Sequence, residues 1–470
     1  MSDKHQIDMT RGPIFGKLVR FAIPIILSGL LQQLYNVADT VVVGKFDGTV
    51  ALAAVGSTGH LINFFLLMFV QITTAAGVVV ARYVGAGEKK REETASVSAL
   101  LMSLVFGLAV TAAGTLLAKP MLRVMSCPEN VIEDAALYMR IYFLGAPVSL
   151  LYNCGSALLR AHGDTKRPML FLTVSGIINV ILNVVLVVLF HLGVAGVAIA
   201  TVASQVVSAG CVLVLLHHPR SDYRLNWVKT RFSFAEAKAV LALGVPMGAS
   251  SILFNLANLV IQREINVLDA AVMAGSAAAT NLNNITYLCL SSFGAAALNF
   301  AGQNVGAKKY RRLDTILWQS CLCGTAVALV VSLLFVCFRN GVLSLYIPAD
   351  STDRDAIVAA ALPRLVMMGV GYVFEVPEDG VSSLLKAMGK VVTTVCINVV
   401  CIIGLRFLWI FLLYRQYTPG NLWVLNAVYP ISWGMTALAQ FAFYRYLRKR
   451  SFREPGEGAP ACNTSGSEAS

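Results

Sequence analysis

The sequence predicts an all-α integral membrane protein, with twelve transmembrane helices forming two six-helix lobes in parallel repeat. Three observations predict it. Charged residues make up only 13% of the chain and hydrophobic residues 57%, against a charged fraction of roughly 25% in soluble domains, and the mean hydropathy is +0.70. Apolar segments long enough to span, roughly 20 residues each, recur from end to end. Short motifs occur twice, in the same order.

The first apolar segment, 18–43, carries Pro24, which removes a backbone hydrogen bond and marks a point of helix bending. Segments 52–80, 95–118, 132–157, 168–190 and 194–216 complete an N-lobe over 18–216. A polar linker at 217–238 follows. The second set, 239–262, 272–300, 315–338, 358–385, 391–414 and 424–447, makes a C-lobe over 239–447. Residues 1–17 read as a cytoplasmic N-terminal segment. Residues 448–470, rich in Gly, Ser, Pro and Glu, read as a disordered cytoplasmic tail.

The repeat is legible in three pairs. Phe21-Ala22-Ile23-Pro24 matches Leu243-Gly244-Val245-Pro246. Arg82-Tyr83-Val84-Gly85-Ala86-Gly87 matches Gln303-Asn304-Val305-Gly306-Ala307-Lys308, and both precede basic runs. Leu158-Leu159-Arg160-Ala161-His162-Gly163 matches Leu384-Leu385-Lys386-Ala387-Met388-Gly389. Six spans per half return the chain to its starting side, so the halves lie parallel, as in transporters that alternate access around a path between two repeats. With both termini cytoplasmic, most of the 37 Lys and Arg fall on the cytoplasmic side, as the positive-inside rule requires. The net charge of +12 is then a topology signal facing anionic lipid, and no nucleic-acid partner is implied.

No short apolar core followed by a small-residue cleavage site opens the chain, so no secretory signal peptide is expected. Apart from Cys462, the ten Cys lie in or beside apolar segments, with no disulfide framework and no metal spacing. Cys321-x-Cys323 reads as packing. Phosphate-loop, His-Glu-x-x-His and Gly-x-Ser-x-Gly motifs are absent, so neither ATP-driven transport nor hydrolase chemistry is indicated. No cofactor is expected beyond a coupling ion, H+ or Na+. His162 and Asp164 are the only pair a membrane-embedded transferase could use, and they read as the turn after the fourth span. His60 and His191 are isolated.

A charge at the middle of a span costs about 2.5–3.5 kcal/mol, so each one needs a reason. Asp39 lies in the first span with Gln32 and Asn36 on the same helix face. It is either solvated near the membrane surface or a carboxylate that exchanges a proton. In the register that matches Pro24 to Pro246, Gln33 corresponds to Asn255 and Asn36 to Asn258, but Asp39 corresponds to Ile261. Asn179 and Asn183, one turn apart in the fifth span, are placed to share a cavity with Asp39 or to bond between helices. In the eighth span Asn281, Asn284 and Tyr287 follow at three-residue steps. The tenth carries Glu375, Glu378 and Asp379 around Pro377, expected to break the helix. Three acids this close cannot all ionise easily in a low dielectric. They bind a proton or cation together, or they pair with Arg140, Arg406 or Lys386.

Leu34-Tyr35-Asn36-Val37-Ala38-Asp39-Thr40-Val41-Val42-Val43-Gly44, with Pro24 upstream, resembles the first helix of the multidrug and toxic compound extrusion family. Residues 158–168 resemble that family's loop after the fourth span, and 193–205 its sixth span; the resemblance covers about 12–448. It implies two six-helix lobes forming a V around a central cleft, exchanging H+ or Na+ for organic, often cationic, compounds. It further implies that Asp39 is the first-lobe acid and Asn179 a supporting amide. Asn183 stands where many members carry a second acid, and Leu-Lys-Ala-Met-Gly stands where the family usually reads Leu-Arg-Gly-x-Gly.

The expectation is therefore a secondary active antiporter of the bacterial cytoplasmic membrane, not an enzyme, exporting small amphipathic compounds by rocking alternating access. Asp39, Glu375, Glu378 and Asp379 are the ion-coupling candidates. Its partners are small-molecule substrates and the lipid bilayer, with no obligatory protein partner. A lipid-linked sugar flippase of the same superfamily is the nearest alternative.

Overall fold

The computed structural model describes residues 6–450 except 126, 219–220, 222, 227–229, 345 and 347–352. The expected disordered tail beyond 450 lies outside the described residues. Among the described residues all regular structure is helical. The first half comprises α1 (Phe15–Phe46), α2 (Gly48–Ala86), α3 (Lys89–Val124), α4 (Glu129–Leu144), α5 (Ala146–Ala161), α6 (Lys166–Leu189) and α7 (Gly193–His217). The second comprises α8 (Phe234–Asn266), α9 (Ala270–Gly306), α10 (Arg311–Cys337), the short α11 (Arg339–Leu343), α12 (Arg354–Ala387), α13 (Val391–Tyr417) and α14 (Leu422–Arg450).

Among the described residues ten helices are long and apolar enough to cross a membrane, or eleven if α4 and α5 count as one bent span. The last, α14, has the length, 29 residues, but ends on Arg448, Lys449 and Arg450, so the helix runs past the expected end at 447. Most helices overrun their apolar segments, because hydropathy marks the lipid-facing stretch while the backbone ladder continues to the next cap.

One expected span is bent, and one proline expectation needs correction. The segment 132–157, read as one span, bends by 47° between α4 and α5. Pro147 sits in the first turn of α5 and cannot donate to the carbonyl of Phe143. Thr111 of α3 takes that carbonyl instead, its hydroxyl donating over 2.6 Å. Pro377, expected to break its helix, does not: α12 runs unbroken through both Pro363 and Pro377, as spanning helices can when neighbours support the freed groups. α1 likewise continues through Pro24, with the Ser28 hydroxyl donating to the Pro24 carbonyl at 2.7 Å.

The repeated motifs build one face of the bundle, here called the terminal face because it carries residues 6–14 and the end of α14. Gly163 and Gly389 end α5 and α12 with φ of +93° and +81°, the left-handed region where glycine avoids a steric penalty. Each lets the next amide fold back, Asp164 N–H to Leu159 O at 3.0 Å and Lys390 N–H to Leu385 O at 2.9 Å. The side chains one turn before Gly85 and Gly306 then cross between halves. Arg82 of α2 donates to the carbonyls of Ala387 (2.8 Å) and Lys386 (2.9 Å) at the end of α12. Its repeat partner Gln303 of α9 donates to Ala161 O at the end of α5 over 2.7 Å. Gly85 packs on the backbone carbonyl of Gln303, and Gly306 packs on that of Arg82. Small residues of this kind let spanning helices approach backbone to backbone.

Residues 6–14 close the same face. Ile7 N–H donates to Gly163 O at 3.2 Å in the first half. In the second half Asn304, Lys309 and Arg312 donate to the carbonyls of Met9 (3.0 Å), Thr10 (2.9 Å) and Gly12 (3.0 Å). Met9 is fully buried. Nearer the bundle middle the halves still touch, through Gln71 Nε2 donating to Ser251 Oγ at 3.0 Å and through Gly248 against Met68. Towards the opposite face, Leu34, Val37 and Val41 of α1 and Leu256 and Leu259 of α8 are exposed.

A side chain at Gly85 or Gly306 should therefore force α2 and α9 apart. Gly85→Leu and Gly306→Leu are each expected to lengthen the distance between spin labels at Lys90 and Lys308 and to lower stability by about 1–3 kcal/mol. Gly16→Leu, where an added Cβ meets open space, should do neither. An unchanged label distance in both interface variants would show that this approach does not set the closure.

Candidate functional site

Three polar clusters are buried in the helical interior. The first is built around Asp39, which α1 places against α6 and α7 with only 7% exposure. Its Oδ1 accepts a short hydrogen bond from Asn183 Nδ2. The second hydrogen on that nitrogen goes to Asn179 Oδ1 at 3.2 Å. Thr201 of α7 stands 3.3 Å from Asp39 Oδ2 and 3.0 Å from the Val197 carbonyl. With one hydroxyl hydrogen it can serve only one of them at a time. Asn179 Nδ2 donates to Thr201 Oγ1 at 3.4 Å. Asp39 thus faces only neutral groups, and no Lys, Arg or His pairs with it among the described residues. α6 leaves α-helical geometry immediately after Asn183, running as a π-helix over Val184–Leu189. Such insertions are frequent at functional positions. Gln32 and Asn36 are exposed and take no part in this cluster.

The second cluster lies on α12. Glu375 is 3% exposed, with Oε2 buried and unpartnered. Glu378 is 7% exposed and accepts from Gln440 Nε2 of α14 at 3.0 Å, while the same nitrogen lies 2.6 Å from Asn398 Oδ1 of α13. Asp379, half-buried, packs its carboxylate against Gly294 of α9, where the missing side chain leaves room for it. None of the three forms an ion pair among the described residues. Arg140 is exposed and Arg406 bonds Asn258 and Ser432, while Lys386 stands near enough to Glu378 and Asp379, and Arg406 to Glu378, to act on their charge without direct contact. Asn281, Asn284 and Tyr287 share an exposed face of α9. Asn283, between them in sequence, is buried with Nδ2 unpartnered.

The third cluster was not visible in the sequence. Arg406 of α13 is fully buried. It donates from Nη1 to Asn258 Oδ1 of α8 at 2.7 Å and weakly from Nε to Ser432 Oγ of α14 at 3.4 Å. Its guanidinium lies 4.7 Å from the ring centre of Tyr429, 5.1 Å from Phe254 and 5.8 Å from Trp433. Arg364 of α12, 8% exposed, donates to Ser276 Oγ at 3.3 Å and lies 5.7 Å from the same Tyr429 ring. Hydrogen bonds to a charged group contribute about 1.5–3 kcal/mol each, and a desolvated cation–π contact about 2 kcal/mol. Those terms offset a desolvation cost of several kcal/mol per ion, yet Arg406 Nη2 and Arg364 Nε remain without partners. Asn255 is exposed and bonds only the Ser251 carbonyl, at 2.9 Å.

His162 and Asp164 do not form a catalytic pair. The His162 ring is held by Glu92 Oε1 and Leu158 O, each at 2.8 Å. Asp164 Oδ1 accepts the amides of Lys166 and Arg167, both at 3.1 Å, capping the start of α6. Among the described residues no group of His, Cys, Asp and Glu could hold a metal ion.

Comparison with known proteins agrees with this architecture. The MatE family model matches residues 24–185 and 246–412, once in each half. The probable multidrug resistance protein YoeA of Bacillus subtilis (strain 168) is 26% identical over 438 residues, covering 92% of this chain and 93% of its own. The probable multidrug resistance protein YpnP of the same organism is 26% identical over 456 residues, covering 95% and 98%. A solved outward-facing multidrug resistance MATE family transporter of the MOP superfamily superposes with a TM-score of 0.87 at 21% identity, covering 97% of this chain and all of that one. With the family model matched in both halves and the helices packed as in its solved members, this chain belongs to the MatE family, a family of membrane transporters and not of enzymes.

Proposed function

We propose that the protein is a secondary active antiporter that exports small amphipathic compounds in exchange for H+ or Na+. The observation that carries this reading is Asp39, a buried carboxylate on a spanning helix whose donors are all neutral. A proton or cation arriving there would compete with Asn183 and Thr201 for the carboxylate oxygens and so alter how α1 seats against α6 and α7. An ion shifts the balance between two states only by its differential affinity for them, and this loosely satisfied carboxylate offers one. Glu375, Glu378 and Asp379 are a second candidate coupling site, since among the described residues no cation forms an ion pair with them and Lys386 and Arg406 act on them only from beyond contact distance. The names of the B. subtilis relatives support drug export as the transported cargo.

The orientation that fits best puts the terminal face, with both chain ends, in the cytoplasm of a bacterium. The sealed terminal face, together with the exposed apolar side chains of α1 and α8 towards the opposite face, then fits an outward-open transporter. Pro24, inside an intact α1, is the candidate bending point between this state and the opposite one. A six-helix lobe at 18–216 and another at 239–447 would rock about the Gly85–Gly306 crossing.

In proteoliposomes with separately imposed proton and sodium gradients, Asp39→Asn should abolish ion-driven efflux of a dye while keeping the melting temperature. Near-normal efflux in that variant would sink the role of Asp39. Glu378→Gln and Asp379→Asn should change stability by less than about 1 kcal/mol, because neither acid holds a cation in a direct ion pair, and should weaken ion dependence. If both variants are stable and fully active, coupling does not involve α12. For orientation, single cysteines at Lys90 and Lys308 should react with an impermeant thiol reagent only from the cytoplasm, and one at Asn130 only from outside. The reverse pattern would invert the assignment.

A further inference from the structure

We infer that the Arg364–Arg406 cluster is a binding site for an anionic group, carboxylate or phosphate, on an amphipathic aromatic solute. Four observations converge on it. Both guanidiniums are more than nine-tenths buried and each keeps an N–H without an acceptor. Both lie near one ring, Tyr429, at 5.7 and 4.7 Å and close enough to repel each other, and neither forms an ion pair among the described residues, Glu378 acting on Arg406 only from beyond contact distance. Arg406 stands on a four-residue α-helical stretch, Leu405–Leu408, held between π-helical runs at Val399–Gly404 and Trp409–Tyr414. Finally, the cluster is the counterpart of the Asp39 site with the charge reversed. The first, fifth and sixth spans of one half supply Asp39, Asn183 and Thr201, and the same spans of the other supply Asn258, Arg406 and Ser432.

An anion lodged between the two arginines would take the unpartnered N–H groups and cancel the repulsion between two buried cations. Guanidinium forks recognise planar carboxylates and phosphates through paired hydrogen bonds. Asn258, half-exposed, is the acceptor such an anion would displace from Arg406. Phe254, Tyr429 and Trp433 supply apolar walls for an aromatic body. The inference rests on the transport reading only for the fate of the bound solute, not for binding itself.

The test is equilibrium binding to the purified full chain in detergent, with fluorescein as the anionic probe and rhodamine 123 as the cationic one. Fluorescein should bind, and Arg364→Gln and Arg406→Gln should each weaken it about 10- to 100-fold, the loss of one charged hydrogen bond. Arg406→Lys should restore part of the affinity, while rhodamine 123 binding and melting temperatures stay at wild-type values. Inorganic phosphate should displace fluorescein. Displacement by phosphatidylglycerol alone would reassign the site to lipid headgroups and overturn the solute form. Equal fluorescein affinity in wild type and the double Gln variant would refute the site. So would a lower melting temperature with both dyes weakened together, which is the signature of a purely structural pair. Binding needs no gradient, so fluorescein binding without gradient-driven transport counts against antiport alone. Transport of rhodamine 123 without fluorescein binding counts against this site alone.

Discussion

Lipid offers a backbone no hydrogen-bond partner, and every feature of this protein is arranged around that lack. A spanning chain must satisfy its own amides and carbonyls, which is why the described structure is helical throughout. Each departure from regular helix must then be repaired by a named group. Where Pro147 cannot reach the Phe143 carbonyl, Thr111 of a neighbouring helix does so, and the bend between α4 and α5 becomes tolerable. The same constraint makes the ends of helices valuable. The unfilled carbonyls at the ends of α5 and α12 are the acceptors through which Gln303 and Arg82 join the two halves.

Duplication gives each half the same scaffold, and the two scaffolds have been filled with opposite charge. α1, α6 and α7 surround a carboxylate with amides and a hydroxyl, whereas α8, α13 and α14 surround a guanidinium with an amide, a hydroxyl and aromatic rings. Neither buried charge forms a direct ion pair among the described residues, and Glu378 acts on Arg406 only from beyond contact distance. Ion pairs would have been the inexpensive way to keep such groups in a membrane interior. Their absence from both clusters leaves two sites of opposite sign, one in each half.

Much of this was legible in the sequence, and what was not has physical causes. The duplicated motifs were legible as a repeat, and the structure adds that they build the contact between the halves, where Gly85, Gly306, Gly163 and Gly389 occupy backbone positions that other residues fill only with strain. Asp39 and the α6 amides were recognisable because a lone acid and two asparagines one turn apart are conspicuous among apolar neighbours. Thr201 was not, since a threonine in a spanning helix most often bonds its own backbone, and only its approach to Asp39 distinguishes it. In the sequence Arg406 reads only as a candidate partner for the acids of the tenth span, and Arg364 carries no signal of its own. Nothing in the spacing reveals that they meet over Tyr429, because they come from helices brought together only by folding. Pro377 and Pro147 illustrate the limit from the other side: the same residue type lies inside one unbroken helix and at the 47° bend between two others, and sequence position alone does not separate the cases.

The segment from Ile7 to Gly12 is held through its main-chain groups by residues 163 and 304–312. The beginning of the chain is thus among the first parts to leave the ribosome and among the last to find its seat. It cannot dock until the α9–α10 turn has been synthesised and inserted, some three hundred residues later, at the translation pace of roughly 5–20 residues per second. For that interval the first lobe must persist in the bilayer without its closing strand of contacts. Assembly of the terminal face is therefore a late event in biogenesis, and a chain truncated before Asn304 would lack the means to complete it.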